Sequence, residues 1–523
     1  MVDWRRITVY THRWLGIAGG VLFLAWFVSG IVLMYAGMPS LTRDERLARL
    51  PALDLATASV TPAEAVRTAG LSPQRVLVGM IGERPVYRFS SGGQWTTVFA
   101  DSGKVLDSLT PDESMRLAQH FAPEHAGTAR YDARLTDADQ WTLQSRAFMP
   151  MHRIALGDPD GTYLYVSERT GEPVMQTTSR GRRWAYLGAV LHWFYFTPLR
   201  RHTNVWIQSV IWLSIVGCVM CLLGLVWGIW RLSPRGRYRL KGARSNSPYA
   251  GLMKWHHYAG LVFGLVTFTW IFSGGLSLNP WNWHPSTSPT RQQRDAVAGG
   301  SLRLDELTLH RLRSGVAEFA SSFAPKELEI FRFRGESYVA ALRLRPDNGR
   351  ADERPPYRAS GSGERAGAVE RLSVSAVAPE RGVFARFDDG AVLEVARAAM
   401  PGIAVADATW LRRYDAYYYD RDGLRSLPVL RVRYKDPQRT WLYFDPARGT
   451  IVLKEERLSR VNRWLYHGLH SLDFPFLYYR RPLWDILVIA LSLGGILLSV
   501  TTMVQAWHRL RRHGRRLARG LRS

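Results

Sequence analysis

Cysteine is scarce in this chain, and its scarcity limits how the polar regions can be stabilised. The 523 residues contain two cysteines, Cys218 and Cys221, both inside an apolar run. No disulfide framework can hold the polar regions, which therefore need ordinary hydrophobic cores. The Cys-x-x-Cys spacing occurs in redox motifs, but inside a membrane helix two small apolar residues on one face are the simpler interpretation.

Motifs of several enzyme classes are missing. No Gly-x-Gly-x-x-Gly follows a predicted strand, so the chain shows no NADPH or flavin site. Neither a Gly-x-Ser-x-Gly turn nor a Cys/His arrangement supports nucleophilic catalysis. Tight His-x-x-x-His and Cys/His spacings are missing too, which makes a zinc or copper site the weaker alternative. Electrons for any redox reaction must then come from a separate cytoplasmic or membrane donor.

Acidic residues are nearly absent from three short segments that are rich in Arg and Lys. Residues 231–254 carry seven basic residues and no acid, and residues 508–523 carry seven Arg and no acid. Residues 1–13 add three Arg against Asp3, so these segments hold +16 of the formal charge of +25. All three flank apolar runs, which is the positive-inside pattern of membrane proteins. The charge therefore predicts a topology and membrane-lipid contact, and no nucleic-acid partner.

Charged residues are absent from four long runs: Trp14–Thr42, His202–Trp230, Trp255–Thr290 and Ile486–His508. Each run is long enough for a helix across a hydrocarbon core of about 30 Å. We expect four transmembrane helices, with both termini and the 231–254 loop in the cytoplasm. The predicted segments are 1–13 (cytoplasmic), 14–37 (helix), 38–203 (outer region), 204–230 (helix), 231–254 (cytoplasmic loop), 255–280 (helix), 281–483 (outer region), 484–507 (helix) and 508–523 (cytoplasmic tail).

The two outer regions have the pattern of α+β domains. "TPAEAVRTAGL" (61–71) has an acid in its first turn and helical apolar spacing. Strand-like alternation marks four further segments: Val86–Phe89, Trp95–Phe99, Tyr163–Val166 and Trp441–Phe444. Residues 346–370 are rich in Arg, Pro, Gly, Ser and Glu, which predicts a flexible insertion.

Identical residues recur at two fixed offsets, which predicts an internal duplication. At 278 residues, Leu191-His192 recurs as Leu469-His470, Trp206 as Trp484, Pro150 as Pro428 and Gly171 as Gly449. At 244 residues, His12 recurs as His256, Gly16 as Gly260, Trp26 as Trp270 and Ser29-Gly30 as Ser273-Gly274. Each predicted copy thus has a histidine near each end.

Several of these motifs resemble a known family. The segment "WLYFDPARGTIV" (441–452), which follows a helix and strands, resembles the PepSY module. It occurs with "HRWLGIAGGVLFLAWFVSG" and "LHWFYF", and with "WHHYAGLVFGLVTFTWIFSG" and "LHSLDF". The chain therefore resembles the PepSY-associated transmembrane family over nearly all its length except residues about 290–400. The resemblance implies an α-helical membrane protein of the bacterial inner membrane, with four transmembrane helices and α+β PepSY-like extracytoplasmic domains. Members of that family include haem proteins that reduce ferric siderophores.

The histidines at the ends of the apolar runs are the candidate cofactor ligands. Ionisable side chains at membrane depth are costly, so a repeated set of them indicates function. We expect His12 and His256 to bind one haem on the cytoplasmic side, and His192 and His470 a second on the outer side. Three other histidines, His257, His467 and His508, are possible substitutes. The plainer alternative is that boundary histidines only contact lipid head groups.

A second candidate site is an aromatic and cationic surface for an iron chelate. It would consist of Tyr417, Tyr418 and Tyr419 together with Trp281 and Trp283. The three tyrosines belong to a segment whose Asp415-Ala416 we align with Asp137-Ala138. Strand packing and an interfacial aromatic belt explain the same residues more simply.

Three functions are compatible with these patterns. The favoured one is a protein with two b-type haems that passes electrons outward and reduces a ferric siderophore or other ferric chelate. The alternative is a non-enzymatic membrane protein whose PepSY-like domains bind or restrain a periplasmic partner such as a peptidase. A transporter is less favoured because the helices lack buried acidic or basic residues.

Overall fold

The chain folds into two compact units, each assembled from separate parts of the sequence. The computed structural model describes residues 3–240, 242–344, 369–420 and 425–520. The helical unit takes the described residues of 1–36, 184–284 and 460–523, and the sheet unit takes those of 37–183 and 285–459. The chain therefore leaves the helical unit twice and returns to it twice.

Four helices of the helical unit are long and apolar enough to cross a membrane: α1 (Trp4–Leu33), α8 (Thr203–Arg231), α9 (Leu252–Leu276) and α16 (Leu483–Gly520). The expectation of four apolar helices is confirmed for the described residues. Each of them packs against two others, in the order α1, α8, α9, α16 and back to α1. The unit also contains α5 (Ser179–Ala185, shared with the sheet unit), α6 (Leu191–Trp193), α7 (Thr197–Arg201), α13 (Arg457–Asn462, also shared), α14 (Leu469–Ser471) and α15 (Pro475–Tyr478).

Two of the long helices extend beyond the apolar runs that predicted them. Helix α1 begins at Trp4, ten residues before Trp14, and the side chain of Asp3 caps it by accepting the amide of Arg6. Helix α16 continues to Gly520. Since no proline interrupts either extension, the backbone hydrogen bonds continue where the hydrophobic pattern stops. The arginines of both extensions consequently lie on helices.

Aromatic rings pack against glycines between these helices. A Cβ atom at Gly217 would lie 3.1 Å from the Phe23 ring, and one at Gly495 would lie 2.3 Å from the Phe27 ring. Cys221 is buried beside these two aromatic residues in the same cluster, and both cysteines are free thiols. The glycines thus allow the helices to approach closely, as small residues do in membrane bundles.

Of the strands in the described ranges, all but two lie in the sheet unit. Its strands are β1 (Arg75–Ile81), β2 (Arg84–Ser91), β3 (Gln94–Phe99), β4 (Arg130–Leu135), β5 (Met151–Ala155), β6 (Tyr163–Ser167), β7 (Glu172–Thr177), β10 (Leu328–Phe333), β11 (Glu336–Leu344), β12 (Val369–Ser375), β13 (Val405–Leu411), β14 (Val429–Tyr434), β15 (Trp441–Asp445) and β16 (Thr450–Glu455). Its helices are α2 (Arg43–Arg49), α3 (Pro62–Ala69), α4 (Pro111–Phe121), α10 (Arg291–Ala298), α11 (Leu309–Ala320) and α12 (Asp389–Ala398). The remaining hairpin, β8 (Tyr238–Leu240) and β9 (Ala243–Ser245), belongs to the helical unit.

One antiparallel sheet joins strands from both halves of the chain. Its order is β12-β11-β10-β1-β2-β3, and the central pair places Val76 opposite Ile330 and Val78 opposite Leu328. Helices α3 and α11 cover its core, and the side chains of Thr61 and Thr308 cap them. The two other sheets, β4 to β7 and β13 to β16, each contain four consecutive antiparallel strands.

Beside each four-stranded sheet, an aspartate accepts two backbone amides and pairs with an arginine, and this shared arrangement corrects one predicted alignment. Asp139 accepts the amides of residues 141 and 142 and pairs with Arg153 at 3.1 Å. Asp415 accepts the amides of residues 417 and 418 and pairs with Arg431 at 3.0 Å. Asp415 therefore corresponds to Asp139, two residues beyond the Asp137 that the sequence alignment predicted.

The predicted insertion at 346–370 lies almost wholly outside the described residues. Only its last two positions, Val369 and Glu370, are described, and they begin strand β12.

Candidate functional site

His12 and His256 face each other inside the helical unit, and we call them the first pair. Their ring centroids lie 6.2 Å apart. Nδ1 of His12 donates to the carbonyl of Met220 at 2.9 Å, and no described residue bonds its Nε2. Nδ1 of His256 lies 3.0 Å from Oγ1 of Thr501, whose own proton goes to a backbone carbonyl. Both rings are therefore held by Nδ1.

His192 and His470 form the second pair, with ring centroids 6.1 Å apart. Nδ1 of His192 lies 3.2 Å from the carbonyl of Trp26, and Nδ1 of His470 lies 3.1 Å from the carbonyl of Trp270. Carbonyl oxygens only accept, so Nδ1 carries the proton in both rings. A serine hydroxyl also contacts each Nδ1, Ser29 at 3.3 Å and Ser273 at 3.2 Å.

Matching turns place His192 and His470. A π-helical turn precedes each short helix, at Tyr186–Val190 and at Arg463–Gly468. Such turns occur frequently at functional sites. Each short helix then ends at a residue with positive φ, Phe194 or Leu472.

An indole group closes each of these turns. The indole of Trp206 donates to the carbonyl of Trp193 at 2.9 Å, and that of Trp484 donates to the carbonyl of Ser471 at 2.9 Å. These bonds account for the tryptophan that follows each histidine by fourteen residues.

Glycines make room for three of the four rings. A Cβ atom at Gly224 would lie 2.5 Å from Cε1 of His12, closer than real contacts allow. At Gly30 and at Gly274, a Cβ atom would lie 3.3 Å from Cε1 of the nearby histidine of the second pair. The glycines beside the histidines are thus part of the site.

A cavity of about 320 Å³ surrounds the first pair. His12 and His256 line it together with small residues of four helices, among them Gly16, Gly20, Gly224, Gly260, Gly495 and Thr502. A largely apolar ligand is the kind of molecule that such a cavity can bind.

A bare metal ion is poorly suited to either pair. No group of three or more His, Cys, Asp or Glu side chains that could hold a metal occurs among the described residues. Structural zinc sites take four protein ligands and catalytic ones three. Two opposed imidazoles instead suit a metal whose remaining positions are filled by a macrocycle.

The three substitute histidines lie in different surroundings. His257 is buried, with Nδ1 2.8 Å from Oγ of Ser247 and Nε2 2.8 Å from the carbonyl of Gly228. Both of its ring nitrogens are therefore occupied, which removes it as a substitute ligand. His467 stacks beside Tyr466 with centroids 4.4 Å apart, and His508 is exposed on α16.

The aromatic residues that we predicted as a chelate surface do not share one environment. Tyr418 is only 1% exposed, stacks on Tyr443 and donates to the carbonyl of Ser426. This burial corrects the prediction for Tyr418, which belongs to the core of its sheet. Tyr417 and Tyr419 are half-buried in the sheet unit. Trp281 (78% exposed) and the partly buried Trp283 belong to the helical unit, so a joint surface stays a prediction.

Sequence reasoning missed the groups that orient the imidazoles. Ser29 and Ser273 were visible as a repeated Ser-Gly pair, but no contact with a histidine was predicted for them. A signal was present, since both repeat at the same offset as the histidines. Thr501 and the π-helical turns have no comparable signal.

The comparison with protein families decides the classification. The model of the PepSY-associated TM region matches residues 9–310, more than half of the chain. The chain belongs to the PepSY-associated transmembrane family. The matched range includes His12, His192 and His256, whereas His470 lies beyond it. A search of curated proteins found no match. Family membership and the four apolar helices identify a membrane protein with an additional sheet-rich unit.

Proposed function

We propose that this PepSY-associated transmembrane protein binds two haems, one at each histidine pair, and carries electrons across the bacterial inner membrane. The observation that supports it most is the repeated opposition of two imidazoles, 6.2 Å and 6.1 Å apart between ring centroids. Haem held by two imidazoles supplies an iron that changes oxidation state without an open coordination position, so it transfers electrons and does not activate oxygen.

The described residues fit such a group. Two imidazoles that each bind one metal ion through a bond of about 2 Å would have their ring centroids about 6 Å apart. Because Nδ1 is hydrogen-bonded in each ring, Nε2 would be the atom that binds the metal, and donation to a carbonyl would increase the basicity of the ring. The cavity beside His12 and His256 is lined mainly by apolar and small residues.

The distance between the pairs favours two haems over one. His12 and Trp26, whose carbonyl accepts from His192, lie fourteen residues apart on α1. At 1.5 Å per residue this is about 21 Å along the helix. Phe23 is buried within this interval, and Phe27 and Trp270 lie at its far end with ring centroids 6.0 Å apart. Two haems would divide this distance, which a single haem could not span.

The basic segments support the direction of transfer. Residues 231–254 and 508–523 carry the positive charge typical of a cytoplasmic side, which supports an arrangement with the first pair near a cytoplasmic donor and the second near the periplasm. We propose that a ferric siderophore or other ferric chelate accepts the electron on the periplasmic side. The recurrence of the histidine motifs supports an origin by internal duplication.

An absorption spectrum of purified protein tests the proposal. We expect the sharp reduced α band of a bis-imidazole haem, with about two haems per chain. His12→Ala and His192→Ala should each remove one of the two signals, whereas His508→Ala, on the exposed end of α16, should keep both. Protein that is colourless after expression with ample haem would contradict the proposal and favour the partner-binding alternative. Reduced protein mixed with several ferric siderophores then identifies the acceptor.

A further inference from the structure

Two arginines face the cavity of the first pair. Arg13 follows His12 on α1, and Arg509 lies about two turns beyond Thr502 on α16. Both line the cavity at the end of the bundle where α1 begins and α16 ends. The two guanidinium groups thus bring two positive charges to one cavity. Both side chains are only partly buried, so an anionic group at this edge of the cavity can reach their guanidinium groups.

No acidic residue near these arginines balances their charge. Residues 231–254 and the chain from residue 486 onward contain no Asp or Glu. Asp3 is the one acid before residue 44, and it pairs with Arg6 at 3.1 Å. In the described part of the chain, Arg13 lies over the neutral ring of Tyr10, 4.9 Å away. No Asp or Glu is among the described residues that line the cavity.

The positions that correspond to these arginines in the other half are already engaged. Arg13 corresponds to His257 at the offset of 244, and Arg509 corresponds to Arg231 at the offset of 278. His257 bonds through both ring nitrogens, and Arg231 lies over the rings of Trp227 and Tyr238. Arg231 does not line the cavity, so among the described residues the arginines that face it are Arg13 and Arg509.

We propose that Arg13 and Arg509 bind the two carboxylates of the macrocycle held by His12 and His256, and thereby fix which way it enters the cavity. The inference rests on the proposed function. Charge-assisted bonds from guanidinium to carboxylate are short, directional and often bidentate. Arg13 and Arg509 are thus positioning residues, which place the edge of the ligand while the histidines hold its metal.

The test compares haem with its dimethyl ester, in which both carboxylates are capped. Apo-protein is titrated with each compound, and binding to the first pair is followed in a His192→Ala background so that one signal remains. Three forms are compared: the native arginines, Arg13→Gln with Arg509→Gln, and the control Arg5→Gln with Arg511→Gln. The control removes equal charge from exposed positions of the same two helices.

We expect the native form and the control to bind haem about tenfold more tightly per arginine than the ester. The Arg13→Gln/Arg509→Gln form should bind both compounds equally. Arg13→Lys with Arg509→Lys should restore part of the preference, which also shows that the site still folds.

An equal preference for haem in all forms would overturn this inference, and would leave haem binding intact. If the arginines served lipid phosphates instead, the Gln form would lose binding to anionic vesicles and keep the preference, which would overturn the inference as well. Absence of haem binding in every form would sink the proposed function too.

Discussion

His12 can occupy its position because residue 224 is a glycine, which has no side chain to overlap the imidazole ring. Gly224 packs so tightly against the imidazole that any Cβ atom would overlap it. The residue 278 positions later is Thr502, whose hydroxyl lies 3.5 Å from Nδ1 of His256. At corresponding positions of the two halves, Gly224 therefore leaves space for His12, and Thr502 offers a polar contact to His256.

If the first pair holds haem as proposed, Gly224→Ala should displace His12 and remove that haem. The added methyl group would start 2.5 Å from Cε1, so the ring must rotate out of line with His256. We expect the haem content to fall from about two to about one per chain, measured by pyridine haemochrome absorbance. Gly260→Ala is the control, since its nearest neighbour is 3.8 Å away and it lines the same cavity. Equal haem content in both variants would contradict the close contact.

His152 makes the stability of the sheet unit depend on pH. It is fully buried, and its Nε2 lies 3.0 Å from both the carbonyl of Leu109 and Oε1 of Glu168. Nδ1 accepts from the hydroxyl of Tyr131. Burial lowers the pKa of His152 below 6.5, although Glu168, which also pairs with Arg134, opposes this.

The unfolded chain consequently takes up the proton first as the pH falls below 6.5. The stability that His152 contributes is complete above that pH and declines below it, toward the lowered pKa of the folded state. We expect the advantage of the native protein over His152→Gln, measured as a urea midpoint, to be smaller at about pH 5.5 than at about pH 7.5. The exposed His120→Gln is the control. If the native protein gained stability over His152→Gln as the pH fell, the predicted direction of the pH dependence would be wrong.

At the scale of elements, a buried ion network joins α2, β7 and the segment before β10. Arg46 pairs with Glu172 at 2.8 Å and also with Glu327. Arg88 lies 3.7 Å from the same Glu172 and donates to the carbonyl of Thr170. These side chains are largely buried, so each charge depends on the others.

Arg46→Ala should destabilise the sheet unit by about 3–5 kcal/mol, because it leaves two buried carboxylates without their cation. The exposed Arg67→Ala on α3 should change stability by less than about 0.5 kcal/mol. Urea unfolding followed by circular dichroism measures both. A loss below about 1 kcal/mol for Arg46→Ala would show that water already compensates the carboxylates.

Sequence patterns predicted helices and strands better than they predicted which strands pair or which groups contact the histidines. The alternation at Val86–Phe89 lies within β2, and "TPAEAVRTAGL" contains α3 with its Thr61 cap. Nothing in either pattern indicated that β1 pairs with β10, some 250 residues later. Alternation states which face of a strand is buried and not which strand lies beside it. The same limit applies to the histidines, whose repetition was visible while the groups that hold Nδ1 were not.

At the scale of the whole molecule, the proposed topology predicts the side from which each segment can be reached. Cysteine replaces Arg239 in the β8–β9 hairpin or Thr68 on α3, in a background where Cys218 and Cys221 are Ala. A membrane-impermeant maleimide should label position 68 in whole spheroplasts and position 239 only after the membrane is opened. Labelling of position 239 in intact spheroplasts would contradict the proposed orientation and, with it, the proposed direction of electron flow.

The chain path from each four-stranded sheet to the second histidine pair has a mechanical consequence. Strand β7 ends at Thr177, fifteen residues before His192, and β16 ends at Glu455, fifteen residues before His470. The same length of chain therefore joins the last strand of each sheet to one histidine of the second pair. If that pair holds haem as proposed, an insertion or deletion in either link would misplace one of the two ligands and leave the preceding sheet unchanged.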